Sequence, residues 1–409
     1  MANKTLNLLL MTALNGIDTN DFLHKKLRRF KTEEDISVNI DFVSWNRAYE
    51  TIIRAHKEGN PPDVFELGTT WISPLKHLEY ITPLDKVSIS SSFVPWMNEL
   101  CRTEKDKFIT APWTVNNIVM LARRDCMDRL DVKPEDIRTW SGFHKVVKMV
   151  SDLRKEGEEL PVPTIFAARP EIENVHRLIA WLFAANFRFP DLTSKPEHIF
   201  QTDTFFEVIK YIEEIVKLSD VSIEDIDKTT ITLNDEFFSE KRYMFYTGNL
   251  YLDIDNFLHN NNGEFILAPI PSPEGSMGGY AGGSVLGVSS RTKYPGRAQR
   301  LLQYLSSPDF LQEWHQYTNV LPAVETKLWK DRSGSSIVDD LYNLLKYSSS
   351  YPVHPAWRNF ERTLSEGLSW CLWHVFVDAD LDIETRISSI IKNMDKQISE
   401  LLNMSWEMH

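Results

Sequence analysis

The chain opens on a largely apolar run at residues 6–14, interrupted only by Asn7 and Thr12 and closed by the turn signal Asn15-Gly16. Phe22, Leu23, Leu27 and Phe30 then recur at helical spacing. Ile36, Val38, Ile40 and Phe42 alternate with polar neighbours, the period of a strand with one buried face. A second helical pattern puts Tyr49, Ile52, Ile53 and His56 on one side and ends at Gly59. Pro61-Pro62 leads from there into a strand over 63–67. This β-α-β-α-β order predicts a parallel sheet with right-handed crossovers. It returns as a strand at 118–122, a helix at 140–153, a strand at 163–167 and an apolar helix at 174–185, so a second α/β lobe is expected.

Farther on, Phe205, Val208, Ile209, Ile212, Ile215 and Val216 mark an amphipathic helix over 204–217, with polar linkers around Ser219 and Asn260. Ile383, Ile387, Ile391, Met394, Ile398 and Leu402 mark a long terminal helix with Asp382 at its N-cap. At 409 residues, two domains are the natural expectation. The formal charge is -13 and no long Lys/Arg run is present, which argues against a nucleic-acid partner. Cys101, Cys126 and Cys371 are an odd set without C-x-x-C spacing, so disulfides do not hold the fold. The 6–14 run lacks a small-x-small cleavage site and is too short for a membrane span, so it reads as a buried first strand. The Met1-Ala2 start leaves two origins open, a trimmed export signal or an intracellular protein.

Catalytic signatures are missing: there is no G-x-x-x-x-G-K, G-x-G-x-x-G, H-E-x-x-H or G-x-S-x-G. Asp378, Asp380 and Asp382 imitate the start of a calcium loop, but Ile383 stands where a glycine is needed and Ser389 where a bidentate Glu belongs. Helix capping is the simpler account, and no metal or cofactor is expected. Gly278, Gly279, Gly282, Gly283 and Gly287 read either as a loop before a strand at 285–288 or as a close backbone approach to a ligand. Twelve tryptophans are present, and Trp45, Trp71 and Trp113 fall where a predicted strand hands over to a loop or helix. That carboxyl edge is where open α/β sheets bind ligands, and a flat indole suits the C–H face of a pyranose. Core packing is the competing reading for each. Trp181, Trp314 and Trp329 have apolar neighbours at helical spacing and read as core. Trp357, Trp370 and Trp373 lie in an aromatic stretch where Arg358 either reaches a polar ligand or pairs with Glu361.

Several segments, taken in order, resemble the extracellular solute-binding protein family 1, which includes the carbohydrate-binding proteins of ABC importers. Pro61-Pro62-Asp63-Val64 through Trp71 resembles its P-D-V, small turn, W segment, and Ile81-Thr82-Pro83-Leu84-Asp85 its P-L-D continuation. Ile109-Thr110-Ala111-Pro112-Trp113 and Thr139-Trp140-Ser141-Gly142-Phe143 are similar to Y-G-V-P-W and T-W-D-E-F. The stretch from Phe237 to Phe245 resembles F-x-x-G-K-A-A-M, with Tyr246-Thr247-Gly248-Asn249 where S-G-x-W often stands. Gly282-Gly283-Ser284, the 301–310 segment and Leu321-Pro322-Ala323 resemble G-G-x, F-L-x-x-L-x-S-P-E and G-x-L-P-A. Glu240 replaces the glycine of the G-K turn, and Asn249-Leu250 replaces the pair that usually bears a Trp.

The resemblance implies a periplasmic-binding-protein type II-like fold: two doubly wound α/β lobes with a hinge and an interlobe cleft. Lobe one would hold 1–111 and 282–320 and lobe two 112–281 and 321–409, with crossings near 111–115, 270–281 and 319–323. It implies a substrate-binding protein of an ABC importer that closes on a sugar or oligosaccharide without chemistry, works outside the cytoplasm and meets permease subunits, as a monomer. Stacking falls to Trp45, Trp71 and Trp113. Hydrogen bonding falls to Glu66, Thr69, Thr70 and Asn116, with Gly248, Asn249, Gly283, Ser284 and Arg358 as further contacts. Two other readings stand beside it: an intracellular sugar-sensing domain of a regulator with the same fold, and a carbohydrate-active enzyme using Glu66 and Asp253.

Overall fold

The computed structural model describes residues 5–12, 18–85, 89, 93–103, 105–249, 264–318, 320–324, 337–376 and 381–404. Asp253, Asn260, Leu250, Trp329, Asp378, Asp380 and the Asn15-Gly16 turn lie outside them. The chain divides into two units. Unit one holds Met1–Asn116, Gly282–Ser335 and Val353–Trp357, and unit two holds Asn117–Ala281, Ser336–Pro352 and Arg358–His409. Each unit is therefore assembled from three chain segments.

In unit one, β1 (Thr5–Met11) pairs parallel with β2 (Ser37–Val43) and with β3 (Val64–Gly68). The strand β8 (Ala281–Val288) lies antiparallel to β3, so the sheet is mixed rather than purely parallel. The reversal follows from connectivity: β8 returns from the other unit and is not the end of a βαβ crossover. α1 (Asn20–Glu34) and α2 (Trp45–Lys57) supply the crossovers, burying Leu23, Leu27 and Phe30, and Ala48, Ile52 and His56. β2 is the outer strand, and there Val38, Ile40 and Phe42 are only half-buried while Ile36 just before it is fully covered. Strict alternation in sequence thus marked an edge strand with incomplete cover. The Asp63 carboxylate accepts the Asn7 N–H at 2.8 Å and the Thr292 hydroxyl, which ties the start of β3 to β1.

β4 (Thr110–Arg123) is one strand of 14 residues, longer than the 118–122 expected. Trp113 lies inside it and not at a strand end. Nearly every β4 residue is buried, so it shows no alternation from which its true start could be read. The 321–324 segment stays with unit one, where the Val94 N–H donates to Ala323 O and the Ala323 N–H to Trp113 O. Gly282 and Gly283 belong to β8 and not to a loop before it. At Gly283 φ is +152°, and an added Cβ would stand 2.1 Å from the Thr114 carbonyl oxygen, so only glycine permits this approach.

In unit two, β4 is flanked by β6 (Tyr243–Asn249) and β7 (Phe265–Ala268), both antiparallel to it, and β5 (Val162–Thr164) pairs parallel with β6. The helices Trp140–Lys155, Ile172–Ala184 and Asp203–Ser219 form where helical periodicity predicted them. Thr139 caps the first through its hydroxyl, accepting from the Gly142 N–H. Asp382 accepts the Thr385 N–H at 3.0 Å, and the last helix, Ile383–Met404, buries the predicted Ile and Met stripe. That cap holds the Asp382 carboxyl below its ordinary range. Trp181 and Trp314 are core residues as expected. Among the described residues no group of acids, His and Cys is arranged to hold a metal, all three cysteines are unpaired and buried, and no helix is long and apolar enough to cross a membrane.

Replacing Gly283 by Ala should lower the unfolding free energy of the protein by about 1–3 kcal/mol through forced separation of two backbones. Chemical denaturation of the variant beside Gly287→Ala, whose new Cβ would meet only side chains at 3.2 Å or more, checks the distinction.

Candidate functional site

The carboxyl edge of the unit-one sheet gathers the best-placed aromatic surface. Trp45 is the first residue of α2, directly after β2 and Ser44, and Trp71 closes the short 3-10 turn Thr69–Trp71 that follows β3. The strand order β2-β1-β3 brings both turns to the same edge. There the two indoles are 6.1 Å apart between centroids, and Tyr49, one turn along α2, meets Trp71 edge-on at 5.6 Å. The two rings differ in cover. Trp71 is buried, with an ideal Cβ on Gly68 only 3.3 Å from its ring, whereas Trp45 is half-buried and keeps accessible surface. Trp45 is thus the ring that can take a ligand, and Trp71 with Tyr49 sets its angle. Thr69, the first residue of this turn, is buried, and Thr70, the second, is half-buried.

Glu66 and Ser284, named separately from sequence, meet in one hydrogen-bond chain. Thr114 donates to Ser284 Oγ at 2.7 Å, Ser284 donates to Glu66 Oε1 at 2.6 Å, and the Met11 N–H donates to Glu66 Oε2 at 2.9 Å. The chain links β4, β8, β3 and β1. Burial raises the Glu66 carboxyl from 4.5 to about 7, against the lowering effect of the Ser284 and Met11 donors. Asn116 adds a further tie, its Oδ1 accepting the Gly282 N–H at 3.0 Å. These residues hold strands in register beside the aromatic surface.

Trp113 is 1% exposed, with Trp314 at 5.3 Å and Phe310 at 5.8 Å between centroids, so its ring packs in the core of unit one. Arg358 pairs with Glu361 at 2.7 Å, the second of the two roles open to it. In unit two, Gly248 and Asn249 stand opposite Val119 and Ile118 in the β4–β6 ladder. The strand end there is fixed by a residue the sequence reading passed over. Arg177, inside an apolar helix, donates from Nε to Thr247 O at 2.8 Å and from Nη1 to Asn174 Oδ1 and Thr230 Oγ1 at 2.7 and 3.1 Å. Its Nη2 donates to the Tyr246 hydroxyl at 2.5 Å. An arginine among Val175, Leu178, Ile179 and Trp181 was the available signal, since a buried guanidinium has to be fully bonded. Tyr49 was also missed as an aromatic partner, having been read only as part of a helix face.

A sequence model described as bacterial extracellular solute-binding protein matches residues 26–328, most of the chain. No curated protein sequence matches. Among solved structures, the sugar-binding protein MalE from Xanthomonas citri has a TM-score of 0.78 at 16% identity, covering 99% of this chain and 100% of its own. A solute-binding protein of an ABC transporter from Thermotoga lettingae, bound with α-D-tagatose, has 0.76 at 16% identity, over 97% and 100%. The GacH receptor of Streptomyces glaucescens, solved unliganded and with acarbose, has 0.77 at 15% identity, over 98% and 99%. At such identities the likeness concerns the fold.

Because Glu66 holds its proton more tightly folded than unfolded, its stabilising contribution is complete below about pH 4.5 and is lost as pH rises through about 7. Glu66→Gln should flatten that part of the stability profile, raising the melting temperature relative to the parent above pH 7. Thermal denaturation across pH 5–8 checks it, and an unchanged slope would refute the assignment.

Proposed function

Because the chain belongs to the bacterial extracellular solute-binding proteins, we propose that it is the substrate-binding protein of an ABC importer and that its solute is a sugar or oligosaccharide. Family membership makes it a binding protein working outside the cytoplasmic membrane, not an enzyme. The finer reading, a monomer in the periplasm or at the cell surface that delivers its solute to permease subunits, extends that premise. The observation that carries the choice of solute is the half-buried Trp45 beside Trp71 and Tyr49 at the carboxyl edge of parallel strands. An indole face takes the C–H side of a pyranose, and polar groups around it take the hydroxyls. Related folds were solved with tagatose and with acarbose, which supports the same class of solute.

The remaining candidates divide by role in this reading. Thr69 and Thr70, on the turn that carries Trp71, would offer hydrogen bonds beside the indoles, and Asn116 ties strands through the Gly282 amide. Glu66, Gly283 and Ser284 keep the strands in place, and Trp113 supports them from the core. Gly248 and Asn249 belong to the β4–β6 ladder of unit two, and Arg358 is held there by Glu361. Capture would draw on two arrangements of the chain, with the solute favouring one by its differential affinity.

Thermal-shift and calorimetric titration with maltose, tagatose and longer maltodextrins tests the proposal. A bound sugar should raise the melting temperature by linkage. Trp45→Ala should abolish that rise while leaving the ligand-free melting temperature within a degree or two. Trp113→Ala should instead cost about 3–5 kcal/mol of stability without sugar. Sugar binding that survives Trp45→Ala unchanged would overturn the site, and release of a hydrolysis product would overturn the function.

A further inference from the structure

The last two helices, Trp357–Val375 and Ile383–Met404, leave a groove of about 460 Å³ within unit two that the proposed solute site does not use. Its floor is set by a close approach: an added Cβ on Gly367 would stand 2.5 Å from Met394 Sδ. Glu366, Trp370 and His374 project into it at four-residue spacing from one helix, and Ser389, Asn393 and Gln397 from the other. Trp370 is 58% exposed, the only exposed tryptophan among the described residues, and Trp373 meets it edge-on at 6.5 Å. The side chains of Glu366, Asn393 and Gln397 make no hydrogen bond or ion pair with any described residue.

We propose that this groove is a second, peripheral saccharide site, in which one neutral sugar ring stacks on Trp370 and its hydroxyls bond Glu366, Asn393 and Gln397. The volume falls in the range of small-molecule sites. A partner's amphipathic helix would need an apolar stripe to dock, whereas the rim here offers one indole and Ile390 among polar side chains. No lysine or arginine lines the groove, which disfavours an anionic ligand, and two carboxamides with a carboxylate match vicinal hydroxyls as both donors and acceptors. The site stands on this geometry and not on the solute site at Trp45, and the two can fail separately.

Protein labelled with 5-fluorotryptophan, with the Trp370 resonance assigned through Trp370→Phe, is titrated with maltose and with cellobiose while its fluorine spectrum is followed. The Trp370 resonance should move with a weak, saturable dependence on at least one sugar. Gln397→Ala should weaken that dependence by about three- to tenfold, the loss of one hydrogen bond. Trp45→Ala should leave it intact. A stationary Trp370 resonance up to the solubility limit of both sugars overturns the proposal, as does a shift that Trp45→Ala abolishes. If Trp370→Ala leaves every sugar titration unchanged but weakens association with transporter-containing membranes, the groove is a protein-docking face and the proposal falls.

Discussion

Unit one depends on the close passage of β8 beside the first half of β4. With Gly283 at φ +152° over the Thr114 carbonyl, the two backbones come nearer than any side chain would permit. The hydroxyl relay from Thr114 through Ser284 to Glu66 and the Met11 amide becomes possible only at that separation. Through it the fixed positions of four strands reach the turns that follow β2 and β3, where Trp45 and Trp71 stand. A buried carboxylic acid at such a node is tolerable because its neighbours supply donors at both oxygens, so that little of its polarity goes unmet.

Much of this was legible from periodicity. The first two crossover helices, the helices of unit two and the terminal stripe all formed where apolar spacing put them, because one face of each meets a sheet or another helix. The hand-over positions of Trp45 and Trp71 were also readable, since each follows a strand ending at polar or small residues. What failed was phase information in strands covered on both sides. β4 carries Ala, Pro, Trp, Val and Ile and is buried along nearly its whole length, so its extent and the position of Trp113 within it could not be read. The direction of β8 was hidden for another reason: pairing with a strand more than two hundred residues earlier leaves no local trace.

For individual side chains the limit was partner identity. Sequence showed Glu66, Ser284, Asn116 and Arg358 as polar groups in suggestive segments, but not which of them would face one another. Glu66 and Ser284 found each other, Asn116 found a backbone amide, and Arg358 found Glu361, one of the two roles open to it. Arg177 and Trp370 show the converse. One is a polar residue wholly enclosed in an apolar helix, the other a large apolar residue left facing outward, and each departs from its usual environment in a way that composition alone does not reveal.

The origin of β8 has a temporal consequence. Its strand lies beyond residue 280 of 409, so the sheet of unit one waits for more than half of the chain to be synthesised. Contacts of such high sequence separation form slowly, because loop closure precedes any reward. Until β8 is made, β3 keeps one edge without its antiparallel neighbour, and the N-terminal strands remain an incomplete sheet.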